Sequence, residues 1–282
     1  MAPALDKLDT ITPASSASLF KRVVSALILI PIVLAGVYAG GAWFAAMIGF
    51  ACIVMLFEWS RMVERRSFSN GFYALALCAC TVMYFAAAGQ YVIALIICFI
   101  SSVIAGALSK RDDGIGIWMA GAAIYIIAPC ISLLWLRLDA PSGRELVFLL
   151  YSVVWAADTG AFIFGKFIGG PKISHALSPS KTWAGIGGGV LGGSIIGAIS
   201  AAVLFGAGTP MAYVLIGGLL GAASVIGDLV ESGFKRNFGL KDISGLIPGH
   251  GGALDRLDGM IFATSAMTAG LLIYMLWEKV QG

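Results

Sequence analysis

Charged residues are scarce in this sequence, and their scarcity excludes an ordinary soluble fold. Of the 282 residues only 12% are charged, whereas 59% are hydrophobic. A soluble domain has about 25% charged residues, so this chain could not cover a large surface facing water. The composition therefore predicts an integral membrane protein.

Several familiar site patterns are also missing. None of the five cysteines has the CxxC spacing that is typical of zinc or redox sites. All of them lie in apolar runs, so we expect small buried hydrophobic residues. The GxxxxGK[ST] pattern of a P-loop is absent. The period-2 alternation of a membrane β-barrel is absent too, which leaves helices as the spanning elements.

Long apolar runs fill most of the chain instead. Each run is long enough to cross a hydrocarbon core of about 30 Å as a helix. We predict an all-α polytopic integral membrane protein with about nine transmembrane helices. The predicted spans are 23–39, 42–60, 72–88, 90–108, 115–136, 145–165, 184–206, 210–230 and 258–277.

The chain divides into three parts. Residues 1–20 are rich in Ala, Ser, Thr, Pro and Asp and have no apolar period, which predicts a flexible cytoplasmic leader. Residues 21–140 predict scaffold helices. Residues 141–282 have most of the intramembrane acids and two long polar loops, 166–183 and 231–257. We expect any chemistry to lie in this last part.

Basic residues indicate the orientation in the membrane. If the N terminus is cytoplasmic, all lysines and arginines lie on the cytoplasmic side except Arg137, Arg144 and Lys279. This asymmetry follows the positive-inside rule. Both long loops then face the cytoplasm, and we expect a multi-pass protein of a bacterial cytoplasmic membrane.

Acids inside the predicted spans are the first sign of function. An acid near the bilayer centre costs about 2.5 to 3.5 kcal/mol, so several in neighbouring spans indicate a site. For Glu58, which stands alone in span two, we expect a charge that snorkels to the interface. Asp158 in span six is either a site residue or a polar contact between helices.

Span eight could present several polar groups on one face. If it continues as a helix beyond Asp228, then Ser232 and Lys235 share that face, with Arg236 beside them. At the start of span nine, Asp255 and Asp258 are one turn apart. The two helix ends could therefore meet at one place.

Carboxylates of this kind favour a magnesium site. Mg²⁺ prefers carboxylate oxygens and is often completed by substrate phosphates. Asp228 and Asp255 are the predicted ligands, with room for a second metal ion. Lysines and arginines beside these acids suit phosphate binding better than ion conduction.

Two turns add candidate phosphate contacts. Ser178, Lys181 and Thr182 precede a predicted helix, whose first amides and dipole favour anions. A glycine turn around His250 would let backbone amides approach a ligand. By itself, His250 is equally suited to capping the next helix.

Several segments together resemble a known family. They are Asp158-Thr-Gly-Ala-Phe, Ser178-Pro-Ser-Lys181-Thr182, Ser232-Gly-Phe-Lys235-Arg236, Lys241-Asp242, Pro248-Gly-His250-Gly251-Gly252 and Asp255-Arg256-Leu257-Asp258. Over residues 145–260 the chain resembles the phosphatidate cytidylyltransferases, also called CDP-diacylglycerol synthases.

The resemblance implies transfer of a cytidylyl group from CTP to phosphatidate, with Mg²⁺ as cofactor. CTP, phosphatidate and the lipid bilayer are the expected partners, and no nucleic acid is expected. Lys235, Arg256 and Asp258 are the expected catalytic residues, and Asp228 and Asp255 the metal ligands. The expected substrate-binding residues are Ser178, Lys181, Thr182, Ser232, Arg236, Lys241, Asp242, His250, Gly251 and Gly252.

Alternatives remain at this point. A CTP-dependent kinase of polyprenols or related lipids would also bind CTP at a membrane, and intramembrane acids also occur in magnesium or proton-coupled transporters. A glycine stripe in span seven, Gly185, Gly189, Gly193 and Gly197, predicts close packing with neighbouring helices, or alternatively a homodimer contact.

Overall fold

The fold is a bundle of helices. A computed structural model describes residues 16–109, 114–174, 178–206, 210–240, 242–246 and 251–281. Its helices are α1 Ser16–Ala39, α2 Gly41–Glu64, α3 Asn70–Ala87, α4 Tyr91–Leu108, α5 Ile115–Leu138, α6 Gly143–Phe167, α7 Trp183–Phe205, α8 Pro210–Asn237 and α9 Leu254–Gln281.

The helices suit a membrane. Within the described residues, eight are long and apolar enough to span it, and α1 adds the shorter apolar segment Val23–Ala39. This confirms the prediction of an all-α polytopic protein with about nine spans. The predicted leader, 1–20, lies mostly outside the described residues, but α1 already begins at Ser16.

Short breaks separate neighbouring helices. Gly40 has a positive φ of 64° between α1 and α2, a conformation that glycine adopts at no steric cost. The Ser69 side chain accepts a hydrogen bond of 3.0 Å from the Phe72 amide and so caps α3. Tight connections of this kind make consecutive helices antiparallel neighbours.

One wide turn interrupts α5. Residues Ala123–Ile127 form a π-helical turn that ends two residues before Pro129. Proline has no N–H, so it cannot bond the carbonyl four residues earlier, and a widened turn accommodates this loss. Tyr125 within the turn packs edge-to-face on Phe234 of α8, with ring centroids 5.1 Å apart.

Glycines bring α6, α7 and α8 into backbone contact. A Cβ atom on Gly188 would lie 2.5 Å from the carbonyl oxygen of Gly160 in α6. A Cβ atom on Gly193 would lie 2.5 Å from the carbonyl oxygen of Gly217 in α8. Both distances are far below van der Waals contact, so only glycine permits this packing. Gly193 of the predicted stripe therefore packs within the chain, which favours the first of the two readings of the stripe.

The predicted cytoplasmic loops contain more regular structure than expected. Loop 166–183 includes an antiparallel hairpin of β1, Lys172–Ser174, and β2, Ser178–Thr182. Helix α8 continues to Asn237, which confirms that Asp228, Ser232 and Lys235 are on one helix. The predicted loop 231–257 is correspondingly shorter, because its first seven residues belong to α8 and its last four to α9.

Polar contacts collect at one end of the bundle, which we call the polar end. There, Lys181 of the hairpin pairs with Asp228 of α8, and Glu58 of α2 accepts a hydrogen bond from the Leu254 amide of α9. At the opposite end, Arg137 Nε donates to the carbonyl of Val37 at 2.6 Å. This arrangement agrees with the predicted topology, in which Arg137 lies on the other side from the long loops.

Candidate active site

A cavity of about 460 Å³ opens at the polar end. Helices α6, α7, α8 and α9 and the β1–β2 hairpin all contribute to its wall. Its acidic residues are Asp158, Asp228, Asp255 and Asp258, and its basic residues are Lys166, Lys181 and Arg256. Such a mixture of both signs can bind a metal ion and phosphate groups together.

Three carboxylates converge beside the cavity. Asp228, Glu231 and Asp258 each offer an oxygen atom, and these atoms lie within 4.8 Å of one another. The first two are three residues apart on α8 and therefore share a face. Gly227 allows the approach of α9, because a Cβ atom there would lie 2.5 Å from the carbonyl oxygen of Asp258.

The three carboxylates of this cluster need a positive charge nearby to compensate their negative charge. Glu231 is only 1% exposed, and its Oε1 atom has no hydrogen-bond partner among the described residues. Like charges at such distances repel one another, and a buried carboxylate needs compensation. The donor set of oxygens from two helices fits a divalent cation.

Lys235 supplies part of that compensation. Its Nζ atom lies 2.6 Å from Glu231 Oε2 and 3.0 Å from Asp255 Oδ1. Asp255 also accepts a hydrogen bond of 3.1 Å from the Gly252 amide. Lys235 thereby joins α8 to the first turn of α9. The Oδ1 atom of Asp255 is held by this lysine.

The hairpin brings a second lysine to the site. Lys181 Nζ lies 2.6 Å from Asp228 Oδ1, and the Asp228 side chain is 45% exposed. Thr182 lines the cavity and caps α7, because its hydroxyl accepts a hydrogen bond of 3.1 Å from the Gly185 amide. Ser178 is buried, with its hydroxyl 3.3 Å from that of Ser180.

Asp158 satisfies both interpretations of its sequence position. It lines the cavity, and it also accepts a hydrogen bond of 3.4 Å from the hydroxyl of Ser224 in α8. The residue is therefore a cavity acid that is oriented by a contact between helices.

Other predicted site residues lie around this centre. Ser232, Arg236 and Asp242 are not among the described residues that line the cavity. Both Arg236 and Asp242 are exposed. Lys241 and His250 lie outside the described residues. Substrate contacts by these five residues stay predictions.

The described part of the glycine turn has an internal role. Gly251 has a φ of 87°, a conformation that favours glycine. The amide of Gly252 already donates to Asp255, which orients that carboxylate. An expected phosphate contact from Gly252 would have to share this amide.

Two acids have roles that sequence reasoning missed. Glu231 could have been found from its spacing, three residues after Asp228 and four before Lys235. The expectation that Glu58 snorkels to the interface is wrong. Its side chain is fully buried, at 0% exposure, and accepts backbone hydrogen bonds from Ala253 and Leu254.

The fold and cavity define a multi-pass membrane protein in which acidic and basic residues share one cavity. Residues 20–274 match the cytidylyltransferase family. The chain belongs to that family and is a nucleotidyltransferase.

Named relatives cover most of its length. The chain is 34% identical over 256 residues to the phosphatidate cytidylyltransferase of Brucella suis, covering 87% of this chain and 90% of that protein. It is 34% identical over 274 residues to the phosphatidate cytidylyltransferase of Pseudomonas aeruginosa, covering 93% of this chain and 98% of that protein.

Proposed function

We propose that the protein transfers the cytidylyl group of CTP to phosphatidate and forms CDP-diacylglycerol and pyrophosphate. One observation carries the proposal. Acids and bases from α6, α8, α9 and the β1–β2 hairpin meet in one cavity at the end of a bundle of membrane helices. A reaction between a soluble nucleotide and a membrane lipid needs a site at such a boundary. The names of the relatives support the choice of substrates.

The reaction makes modest chemical demands on the protein. A phosphate oxygen of phosphatidate attacks the α-phosphorus of CTP, and the bond from that phosphorus to the bridging oxygen breaks. Pyrophosphate leaves with the electron pair. The lipid supplies the nucleophile, so the protein contributes positioning and electrostatic stabilisation.

The carboxylates around the cavity suit Mg²⁺. We keep the predicted ligands Asp228 and Asp255 and add Asp258, which was predicted to be catalytic, because its carboxylate lies within 4.8 Å of that of Asp228. All three line the cavity, with Glu231 behind them and room for a second ion. When bound, the metal neutralises phosphate oxygens and stabilises the charge that develops on the leaving pyrophosphate.

Basic residues would bind the phosphates. Lys181 can exchange its ion pair with the exposed Asp228 for a substrate phosphate, and Arg256 and Lys166 line the same cavity. Lys235 has two carboxylate partners already. Its part in the reaction is therefore to hold Asp255 in position and to limit the negative charge beside the nucleotide.

The remaining predicted residues would extend the binding surface. Ser232 and Arg236 lie on the last turns of α8, and Asp242 follows in the connection to α9. Lys241, His250 and Gly251 also belong to this connection between the two helices that bear the acids. We assign this group to substrate contacts, and Ser178 to support of the hairpin.

The lipid would reach the cavity from the side of α6. Phe162 lines the cavity, yet its side chain is 65% exposed. An exposed aromatic residue beside the cavity suits contact with acyl chains. CTP would enter from the cytoplasm, because the positive-inside rule predicts that the positively charged loops face that side. We assign the protein to the inner membrane of a bacterium.

The test uses the purified protein in detergent with phosphatidate, Mg²⁺ and CTP labelled at the α-phosphorus. The proposal predicts label in a CDP-lipid and release of pyrophosphate. Labelled CDP together with a newly phosphorylated lipid would indicate a kinase instead. Absence of turnover, together with Mg²⁺ flux into vesicles containing the protein, would indicate a transporter.

A further inference from the structure

Helix α2 belongs to the predicted scaffold, yet one of its acids reaches the catalytic segment. Glu58 Oε1 accepts a hydrogen bond of 3.0 Å from the Ala253 amide, and Oε2 accepts one of 2.7 Å from the Leu254 amide. The hydroxyl of Ser244 donates to Oε1 as well. Glu58 thus holds both the connection after α8 and the first residue of α9.

These contacts explain how a fully buried carboxylate is tolerated. An uncompensated buried charge would be very costly, but each of these donors forms a charge-assisted hydrogen bond. The N terminus of α9 adds the favourable end of the helix dipole. Glu58 therefore caps α9 from a different helix, almost 200 positions earlier in the chain.

The capped backbone leads directly to Asp255. Three consecutive amides are divided between two carboxylates, because Gly252 donates to Asp255 while Ala253 and Leu254 donate to Glu58. A Cβ atom on Gly252 would lie 2.9 Å from Glu58 Oε1 and 3.0 Å from Asp255 Oδ2. Glycine at this position lets the two acids approach the same turn. A shift of Glu58 would therefore move the backbone that carries Asp255.

Two more contacts fasten α2 to the end of α8. Arg65, which directly follows the last residue of α2, donates through Nη2 to the carbonyl oxygen of Phe238. Trp59, next to Glu58, packs edge-to-face on Phe234 with ring centroids 5.3 Å apart. The polar end of α2 is thus bound to both helices that bear the acids.

We propose that Glu58 is a positioning residue for the transfer reaction. It fixes the start of α9, and through it Asp255 and Asp258, relative to α8. Glu58 is not among the described residues that line the cavity, so it acts through the backbone and not by touching substrate. The kinetic part of this inference rests on the proposed function, whereas its structural part does not.

The principal test compares Glu58→Gln with wild type and with the control Glu64→Gln. Glu64 is on the same helix, but it accepts hydrogen bonds from the hydroxyls of Ser60 and Ser69, which lie outside the catalytic segment. Hydrogen exchange at the Ala253 and Leu254 amides should become at least about tenfold faster in Glu58→Gln, because charge-assisted bonds are lost. Exchange there should be unchanged in Glu64→Gln. Equal exchange in all three proteins would overturn the inference.

The kinetic test separates positioning from simple instability. For the folded fraction of Glu58→Gln, kcat should fall at least about tenfold, since a small misplacement of catalytic groups has large effects. KM for CTP should stay within about twofold, because Glu58 does not touch substrate. Glu58→Asp keeps the charge and should recover part of kcat. An unchanged kcat, or a change confined to KM, would contradict the proposal.

A second variant covers the case in which Glu58→Gln does not fold. Ser244→Ala removes one donor and leaves the carboxylate in place, so kcat should fall by about two- to threefold. In Glu58→Asp, adding Ser244→Ala should lower kcat less than it does in wild type, because both changes act on one carboxylate. If the two substitutions lower kcat by independent factors that multiply, the result would contradict a shared role of Glu58 and Ser244. If wild type shows no cytidylyl transfer, the proposed function fails, while the exchange measurement still tests Glu58.

Discussion

Replacing Lys235 by methionine should destabilise the protein, because the lysine compensates two buried acids. The Lys235 side chain is 15% exposed, and those of Glu231 and Asp255 are 1% and 10% exposed. Removing one partner of a buried ion pair costs about 3 to 5 kcal/mol. Partial exposure of the lysine favours the lower end, about 3 kcal/mol, which is about two powers of ten in the ratio of folded to unfolded protein.

The assay is unfolding in mixed detergent micelles by added dodecyl sulfate, followed by tryptophan fluorescence. Lys166→Met is the matched control, because Lys166 is an exposed lysine in the last turn of α6 and should change stability by less than about 0.5 kcal/mol. The double variant Glu231→Gln, Lys235→Met should recover at least half of the loss, since it removes one uncompensated charge. A Lys235→Met protein as stable as the control would refute the reasoning.

Three further predictions test the metal, the glycine packing and the hairpin. Asp255→Asn should abolish turnover, whereas Glu231→Gln should raise the Mg²⁺ concentration for half-maximal rate about tenfold, as expected of a group behind the ligands. Titrations of the rate with Mg²⁺ measure both effects. Loss of turnover in Glu231→Gln, with only a weaker Mg²⁺ dependence in Asp255→Asn, would place the ion deeper, among Asp228, Glu231 and Asp258. Gly193→Leu should push α7 away from α8, so the protein should no longer give a monodisperse peak in size-exclusion chromatography. Gly187→Leu should keep that peak, because a Cβ atom at Gly187 has no neighbour within 4 Å. Thr182→Ala should lower the free energy of unfolding by about 1 kcal/mol, because the cap of α7 is lost. Thr182→Ser keeps a hydroxyl and should have the stability of wild type. Equal stability of the two variants would contradict a capping role.

Much of the fold could be predicted from local sequence patterns. Apolar length alone identifies the spans, because lipid requires each segment to satisfy its own backbone. The helical extension of α8 beyond Asp228 was also accessible, since Ser232 and Lys235 follow at helical spacing. The same spacing would have identified Glu231.

Other features depend on contacts that no local pattern reports. Glu58 has partners at Ser244, Ala253 and Leu254, which lie almost 200 positions later. By itself, an acid near the end of an apolar run indicates an interfacial charge, and only the packing of α2 against α9 reveals a cap. The β1–β2 hairpin was missed because its segment is short and rich in turn-forming residues, so its pairing depends on the surrounding helices.

The central claim is that the protein transfers a cytidylyl group to a lipid and that the acids of the cavity are needed for this reaction. The most direct measurement compares Asp228→Asn with Asp139→Asn in the assay with phosphatidate, Mg²⁺ and CTP labelled at the α-phosphorus. Asp139 directly follows the last residue of α5 at the opposite end of the bundle, where it accepts a hydrogen bond from the hydroxyl of Tyr91. We predict that Asp139→Asn forms labelled CDP-lipid at the wild-type rate and that Asp228→Asn, equally well folded, forms none. Near-normal formation of CDP-lipid by Asp228→Asn would contradict the account.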